Sequence, residues 1–330
     1  MTRWRWTWVA VAGLVGTLAS GAAGQEKTTE PPKTFWQELA WFAYVENSYV
    51  FNLRGEATNG SNELRFYDVD RGYTFNMAEF SVKKDPSERY PFGFGLVLTG
   101  GEDPQFNHAI GIFRTADQAP TDTDKVDLQE AYLSYKIPLG QGLTLKAGKF
   151  VTLLGYEVIE SPNNLNFSRS LLFDFATPLT HVGMLGSYPL TDTLSATAGL
   201  VLGWDVANDR NHAPSGTGQL TYTGIKDLST SVNFIVGPER NGDATNLRWV
   251  VDLVASYSGL SKTTLAANFD YGQEADAASG GGSAGWWGLA GYAAYDWTAK
   301  LRTAIRLEYF RDEDGFRTGS GVSWGSTRAR

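Results

Sequence analysis

Residues 193–204 read TLSATAGLVLGW, and the two sides of an extended strand through them differ in chemistry. Successive strand side chains point to opposite faces. Leu194, Ala196, Ala198, Leu200, Leu202 and Trp204 therefore share one side, with Ser195, Thr197, Gly199, Val201 and Gly203 on the other. One face is oily, the other small and polar. Residues 247–257, LRWVVDLVASY, repeat the pattern: Leu247, Trp249, Val251, Leu253, Ala255 and Tyr257 alternate with Arg248, Val250, Asp252, Val254 and Ser256. In LRTAIRLEYF, residues 301–310, Leu301, Ile305, Leu307 and Tyr309 oppose Arg302, Arg306 and Glu308. Alternation alone fits a soluble sandwich and a membrane barrel equally, since both have one apolar and one polar face per strand.

Strand length and connection rhythm favour the barrel. Several runs reach about nine to twelve residues, the length a tilted strand needs to cross a bilayer, whereas soluble strands are commonly about five or six. Short connections such as YKIPLGQGLTL, YPLTDTLSA, YSGLSKTTLA and YDWTAKLRT take turns with long polar ones such as GGEDPQFNHAIGIFRTADQAPTDTDK, DVANDRNHAPSGT, GPERNGDATN and GQEADAASGGGSAG. Outer-membrane barrels alternate in this way because one rim carries tight turns and the other carries loops. Tyr135, Tyr188, Tyr257, Tyr295 and Trp297 stand beside the short turns, and Trp204, Trp249, Trp286 and Trp287 beside the long loops, as two interfacial girdles would.

The expected fold is all-β, a transmembrane antiparallel up-and-down barrel of about 13 strands from near Trp41 to near Phe310. Bacterial single-chain barrels have even strand counts. An odd count ending in RDEDGFRTGSGVSWGSTRAR predicts a C-terminus truncated relative to a closed barrel. Residues 1–24, with Arg3 and Arg5 ahead of an apolar run too short to span a bilayer, read as a signal peptide. Residues 25–34 are a polar linker, and 35–330 the barrel domain.

Composition narrows the function. The net charge of −8 becomes about −10 once the signal peptide is removed, which argues against nucleic acid. With no cysteine, thiolate metal sites and cysteine nucleophiles are excluded. The three histidines, His108, His181 and His212, lack ligand-like spacing, and the DEDG of 312–315 lacks the spacing and closing Glu of a calcium loop. Glu157 and Glu160 are no more distinctive as a glycosidase pair than many other carboxylates. Neither a cofactor nor catalysis is expected.

The stretch AGKFVTLLGYEVIESPNNLNFSRSLLFDFATPLTHVG, residues 147–183, followed by SYPLTDTLSATAGLVLGWD, GPERNGDATNLRWVVDLVASY and WWGLAGYAAYDWTAKLRTAIRLEYFRDEDGF, strongly resembles the OmpL-like β-barrel porin family of Gram-negative outer membranes. The likeness runs over about Phe35 to Thr318, and the block from Lys149 to His181 is its most specific part. It implies a pore-forming protein of the outer membrane without catalysis. Expected partners are outer-membrane lipid, small hydrophilic solutes or ions, and further copies of the chain. A secreted β-sandwich binding protein for a carbohydrate or surface ligand is the alternative.

The connection from Leu153 to Thr180 is far longer than the usual four to six or so residues. A loop folded into the bore of a barrel narrows it and offers hydrogen-bonding groups to hydrated solutes. Glu157, Glu160, Asn163, Asn164, Asn166 and Arg169 are the candidate constriction. Leu171, Leu172, Phe173 and Phe175 are candidates to pin it. Wall residues Arg248, Asp252, Arg302, Arg306 and Glu308 should complete a mixed-sign field. An arginine on the lipid side at the bilayer midplane costs about 2–4 kcal/mol, so Arg302 and Arg306 should face water. An external loop packed on itself is the competing reading of this connection.

Overall fold

The computed structural model describes residues 33–50, 72–119 and 123–319. Residues 1–24, expected above to be a signal peptide, most of 25–34, and residues 51–71, 120–122 and 320–330 lie outside them. The thirteen strands are β1 (Ala40–Val50), β2 (Gly72–Lys84), β3 (Phe92–Gly100), β4 (Val126–Ile137), β5 (Leu143–Val151), β6 (Thr180–Pro189), β7 (Leu194–Val201), β8 (Ser215–Tyr222), β9 (Leu228–Pro238), β10 (Leu247–Leu260), β11 (Thr263–Glu274), β12 (Ala284–Thr298) and β13 (Leu301–Asp312). They form one antiparallel sheet in chain order. Among the described residues, β1 pairs with β2 and β13 with β12.

Connections alternate as the sequence implies. One rim carries 85–91, 138–142, 190–193, 223–227, 261–262 and 299–300; the other carries 101–125, 152–179, 202–214, 239–246 and 275–283. The outward face is apolar around the whole sheet. Leu133, Met184, Leu200, Leu253, Ile305 and Leu307 all stand exposed on it, Leu200 at 60% and Leu307 at 70%. Among the described residues the strands form one sheet and these side chains meet no second one, so the sandwich alternative is not favoured.

The core lies inside the curl. Phe150, Leu185, Val201, Ile235, Val250, Ala266, Trp286, Ala290 and Tyr292, drawn from β5 to β12, meet in one buried cluster with Leu154, Leu172 and Ala176 of the 152–179 segment. Two inward glycines make room for aromatic rings. A Cβ at Gly95 would stand 2.4 Å from the Tyr132 ring, and one at Gly272 2.4 Å from the Trp286 ring. Glycine in a strand often marks such close approach.

The girdle expectation holds in part. Tyr135, Tyr295 and Trp297 are exposed at the short-turn rim. At the other rim Trp249 stacks on Tyr271, and Trp287 on Tyr309. Trp204 and Trp286 depart from it: both are buried and meet edge to face at 6.3 Å. β7 ends at Val201 and Gly203 turns the chain at φ +135°, so the alternation does not extend to Trp204. Trp286 lies opposite Gly272 on the inner face.

Candidate functional site

The 152–179 segment leaves β5 and returns to β6 through a narrow neck, where Thr152 N–H donates to Leu179 O at 2.9 Å. Between these points it touches strands from all sides of the curl. Leu153 O accepts from Gln219 of β8 at 3.1 Å, and Tyr156 N–H donates to Asn268 of β11 at 3.1 Å. Glu160 accepts from Gln129 of β4 at 2.6 Å, Ser161 donates to Glu46 of β1, and Ala176 O accepts from Trp286 of β12 at 3.2 Å. Leu171 N–H donates to Glu308 of β13 at 2.7 Å. A segment can reach all these strands only from within.

Its shape is built locally. Asn164 both donates to Val158 O at 2.7 Å and accepts from Val158 N–H at 2.9 Å, closing a loop across the single 3₁₀ turn Ser161–Asn163. Arg169, 1% exposed, spends its guanidinium on carbonyls of its own segment: Val158 at 3.1 Å, Phe167 at 2.6 Å, and Ile159. Ser170 Oγ accepts from Phe173 N–H at 3.1 Å and starts the wide helical turn Leu172–Ala176. Leu172, Phe173 and Phe175 on this turn are buried. The residues left exposed on the segment are Val158, Pro162, Asn163 and Phe167.

Arg306 is the main electrostatic anchor. Its guanidinium lies 2.9 Å from Glu157 and 3.6 Å from Glu308, with side-chain exposures of 7%, 2% and 5% for the three. It also donates to Ser168 O, to Ser168 Oγ at 3.2 Å and to Arg169 O at 2.8 Å. Glu157 in turn accepts from Ser170 N–H at 2.6 Å. Removing one partner of a buried, hydrogen-bonded pair strands the other, so the cluster fixes the segment in place.

Of the candidate residues, the structure thus joins Glu157, Arg169, Arg306 and Glu308. Asn163, Asn164 and Asn166 lie together around the 3₁₀ turn, and Glu160 faces β4. Arg248, Asp252 and Arg302 stand apart. Arg248 pairs with Glu274 and stacks over Trp204 at 5.0 Å. Asp252 accepts from Asn233 and from Asn268, the latter at 2.6 Å. Arg302, half exposed, pairs with Asp296 at 2.6 Å. Sequence reasoning missed Glu46, Glu79 and Gln129 opposite the segment. Alternation within β1 and β2 would have found the first two, whereas Gln129 sits at the register shift between β3 and β4, where Val97 faces Glu130 and Leu98 faces Leu128.

The loops of the long rim pack beside this site. Ile110 and Val206 form a parallel bridge. Asp205 accepts from Leu179 and Thr180 N–H, both at 2.8 Å, and burial pushes its carboxyl up. Glu239 accepts from Trp204 N–H and Ser215 Oγ, both at 2.7 Å, and is likewise raised by burial.

An up-and-down sheet of long strands with an apolar outer belt, alternating rims and an inward-folded segment defines a membrane β-barrel of the channel class. The family model described as "Putative beta-barrel porin-2, OmpL-like" matches residues 38–329, and the chain belongs to that family. It is an outer-membrane porin, a channel.

Among solved structures, OmpF of Salmonella typhi in complex with daunomycin aligns with a TM-score of 0.54 at 12% identity, over 86% of this chain and 82% of that one. This likeness speaks to fold alone. The outer membrane channel DcaP of Acinetobacter baumannii aligns at 0.49 and 12% identity, over 84% of this chain and 80% of that one. The anion-selective porin of Comamonas acidovorans aligns at 0.49 and 13%, over 83% and 78%. Comparison with curated proteins gives no match.

Proposed function

We propose that the 153–180 segment is the constriction of a passive diffusion pore for small hydrophilic solutes or ions, with lipid covering the outer belt. The observation that carries this reading is the ring of contacts from the segment to β1, β4, β8, β11, β12 and β13. Within the segment the roles divide. Glu157 and Arg169 hold it in shape and in place, whereas Asn163, Asn164, Asn166 and Glu160 form the polar edge that a hydrated solute meets. Hydrogen-bonding groups at such an edge replace part of the solute's water shell and set the size limit. Of the wall residues, Arg306 and Glu308 act as anchors. Arg248, Asp252 and Arg302 contribute field from a distance.

The chain has no cysteine, so a single introduced thiol reports one position. Asn163→Cys, reconstituted in planar bilayers, should lose conductance when a methanethiosulfonate reagent adds bulk there. Complete labelling with unchanged conductance would remove residue 163, and with it the segment's edge, from the path.

A further inference from the structure

The interior wall is not uniform. From β5 to β12 it presents Phe150, Leu185, Val201, Ile235 and Val250, which pack against the segment. From β1 to β4 the segment meets one apolar contact, Met77 of β2 against Ile159 and Phe173 with Tyr44 beside them, and next to it a band of polar groups. Tyr44 lies opposite Glu79, and Glu79 opposite Thr99, so the three form one row across β1, β2 and β3. Glu46, Glu79, Thr99 and Gln129 are each at least nine-tenths buried. Tyr44 Oη, Glu46 Oε1, Glu79 Oε2, Thr99 Oγ1 and Gln129 Oε1 have no hydrogen-bond partner among the described residues.

A buried polar group left unsatisfied is costly, so five in one sector point to a surface that water or a passing solute meets. A close-packed apolar contact offers no such route. Asn233 and Asp270 on the other wall also have unpartnered oxygens among the described residues. Their row, however, runs through Asp252 to Gly288, and Leu172 of the segment packs on Gly288. That wall is covered.

Charge distinguishes the polar sector further. Lys83 pairs with Glu130, and Lys149 with Asp127. Glu46, Glu79 and Glu160 make no ion pair among the described residues; Glu46 is met by Ser161 and Glu160 by the amide of Gln129. We propose that solutes pass between β1–β4 and the edge of the segment around Glu160, and that Glu46, Glu79 and Glu160 make this passage favour cations. The proposal rests on reading the segment as the constriction. Uncompensated carboxylates along a narrow, low-dielectric passage raise the local cation concentration and oppose anions.

The test is the reversal potential of the full chain in planar bilayers under a KCl gradient. Wild type should be displaced toward the potassium limit. The triple variant Glu46→Gln, Glu79→Gln, Glu160→Gln should still open but lose most of that displacement, whereas Asp270→Asn on the covered wall should keep it. A triple variant with wild-type selectivity, or a covered-wall variant that abolishes it, would overturn the assignment. So would an unselective or anion-preferring wild type, while leaving the constriction reading to the Asn163→Cys result. Should the triple variant not fold, Thr99→Cys carries the same question. Block by both cationic and anionic thiosulfonates supports the path along β1–β4, and labelling with no effect on current refutes it.

Discussion

Arg306→Met should loosen one end of the segment while leaving the barrel intact. The substitution keeps an unbranched side chain of similar reach and removes two ion pairs, to Glu157 at 2.9 Å and Glu308 at 3.6 Å, together with the donors that hold Ser168 and Arg169. Breaking a buried pair by deleting one partner costs about 3–5 kcal/mol, because the stranded carboxylates remain out of water. At about 1.4 kcal/mol per decade, this shifts the docked-to-undocked balance of residues 157–171 by roughly two to three and a half decades. The other end has an independent hold: Leu172, Phe173 and Phe175 each contribute about 1.5–3 kcal/mol by burial, and Ala176 O keeps its bond to Trp286. Fraying at 157–171 is therefore expected rather than ejection of the whole segment. Hydrogen exchange of the refolded protein in detergent should show faster exchange at the Leu171 and Ser170 amides. Single-channel records should gain a larger, noisier conductance level. Glu157→Gln should show the same changes more weakly, and the double variant should be less than additive, since the two residues share one interaction. Unchanged exchange at 157–171 together with an unchanged conductance distribution in Arg306→Met would refute the anchoring argument.

Leu200→Arg places a charge on the outer belt and should destabilise the protein by about 2–4 kcal/mol if the site lies near the midplane, whereas Thr197→Arg, directed inward, should cost far less; urea unfolding from lipid vesicles compares them. Gly272→Val drives a side chain into the Trp286 ring, whose nearest atom lies 2.4 Å from the position a Cβ would take, and should break the bond to Ala176 O. A loss of about 1–3 kcal/mol is expected from such overpacking, and equal unfolding midpoints would contradict it. Burial raises Glu239 above its ordinary value of 4.5, so the folded loop binds the proton more tightly than the unfolded one. That contribution to stability is complete below pH 4.5 and is lost as pH rises through the folded value. Exchange at the Trp204 amide, corrected for its intrinsic pH dependence, should show opening becoming easier across that window; Glu239→Gln should flatten the trend, and an unaltered slope would rule Glu239 out.

The strands are legible because lipid imposes a strict rule. Every second residue must be apolar, and Leu194 to Leu200 and Leu247 to Tyr257 obey it without interruption. The rule fails where strands end or register shifts. Extending alternation past Val201 puts Trp204 outward, against the turn at Gly203, and the pair Trp286–Trp287 cannot both face out, since adjacent strand residues point oppositely. The interior is less legible because its contacts are remote in sequence. Glu157 and Arg306 are separated by 149 positions and Tyr156 and Asn268 by 112, so no local pattern announces either pair.

The same distance explains why the candidate residues divide as they do. A charge inside the barrel is stable there in one of two ways: paired and hydrogen-bonded, or in contact with water. Arg306, Glu157 and Glu308 take the first course, and Arg169 saturates its donors on backbone carbonyls. Such residues hold the segment and have little capacity left for a solute. Glu46, Glu79 and Glu160 make no ion pair among the described residues, and on the proposed reading the water of the passage beside them takes the place of a basic partner.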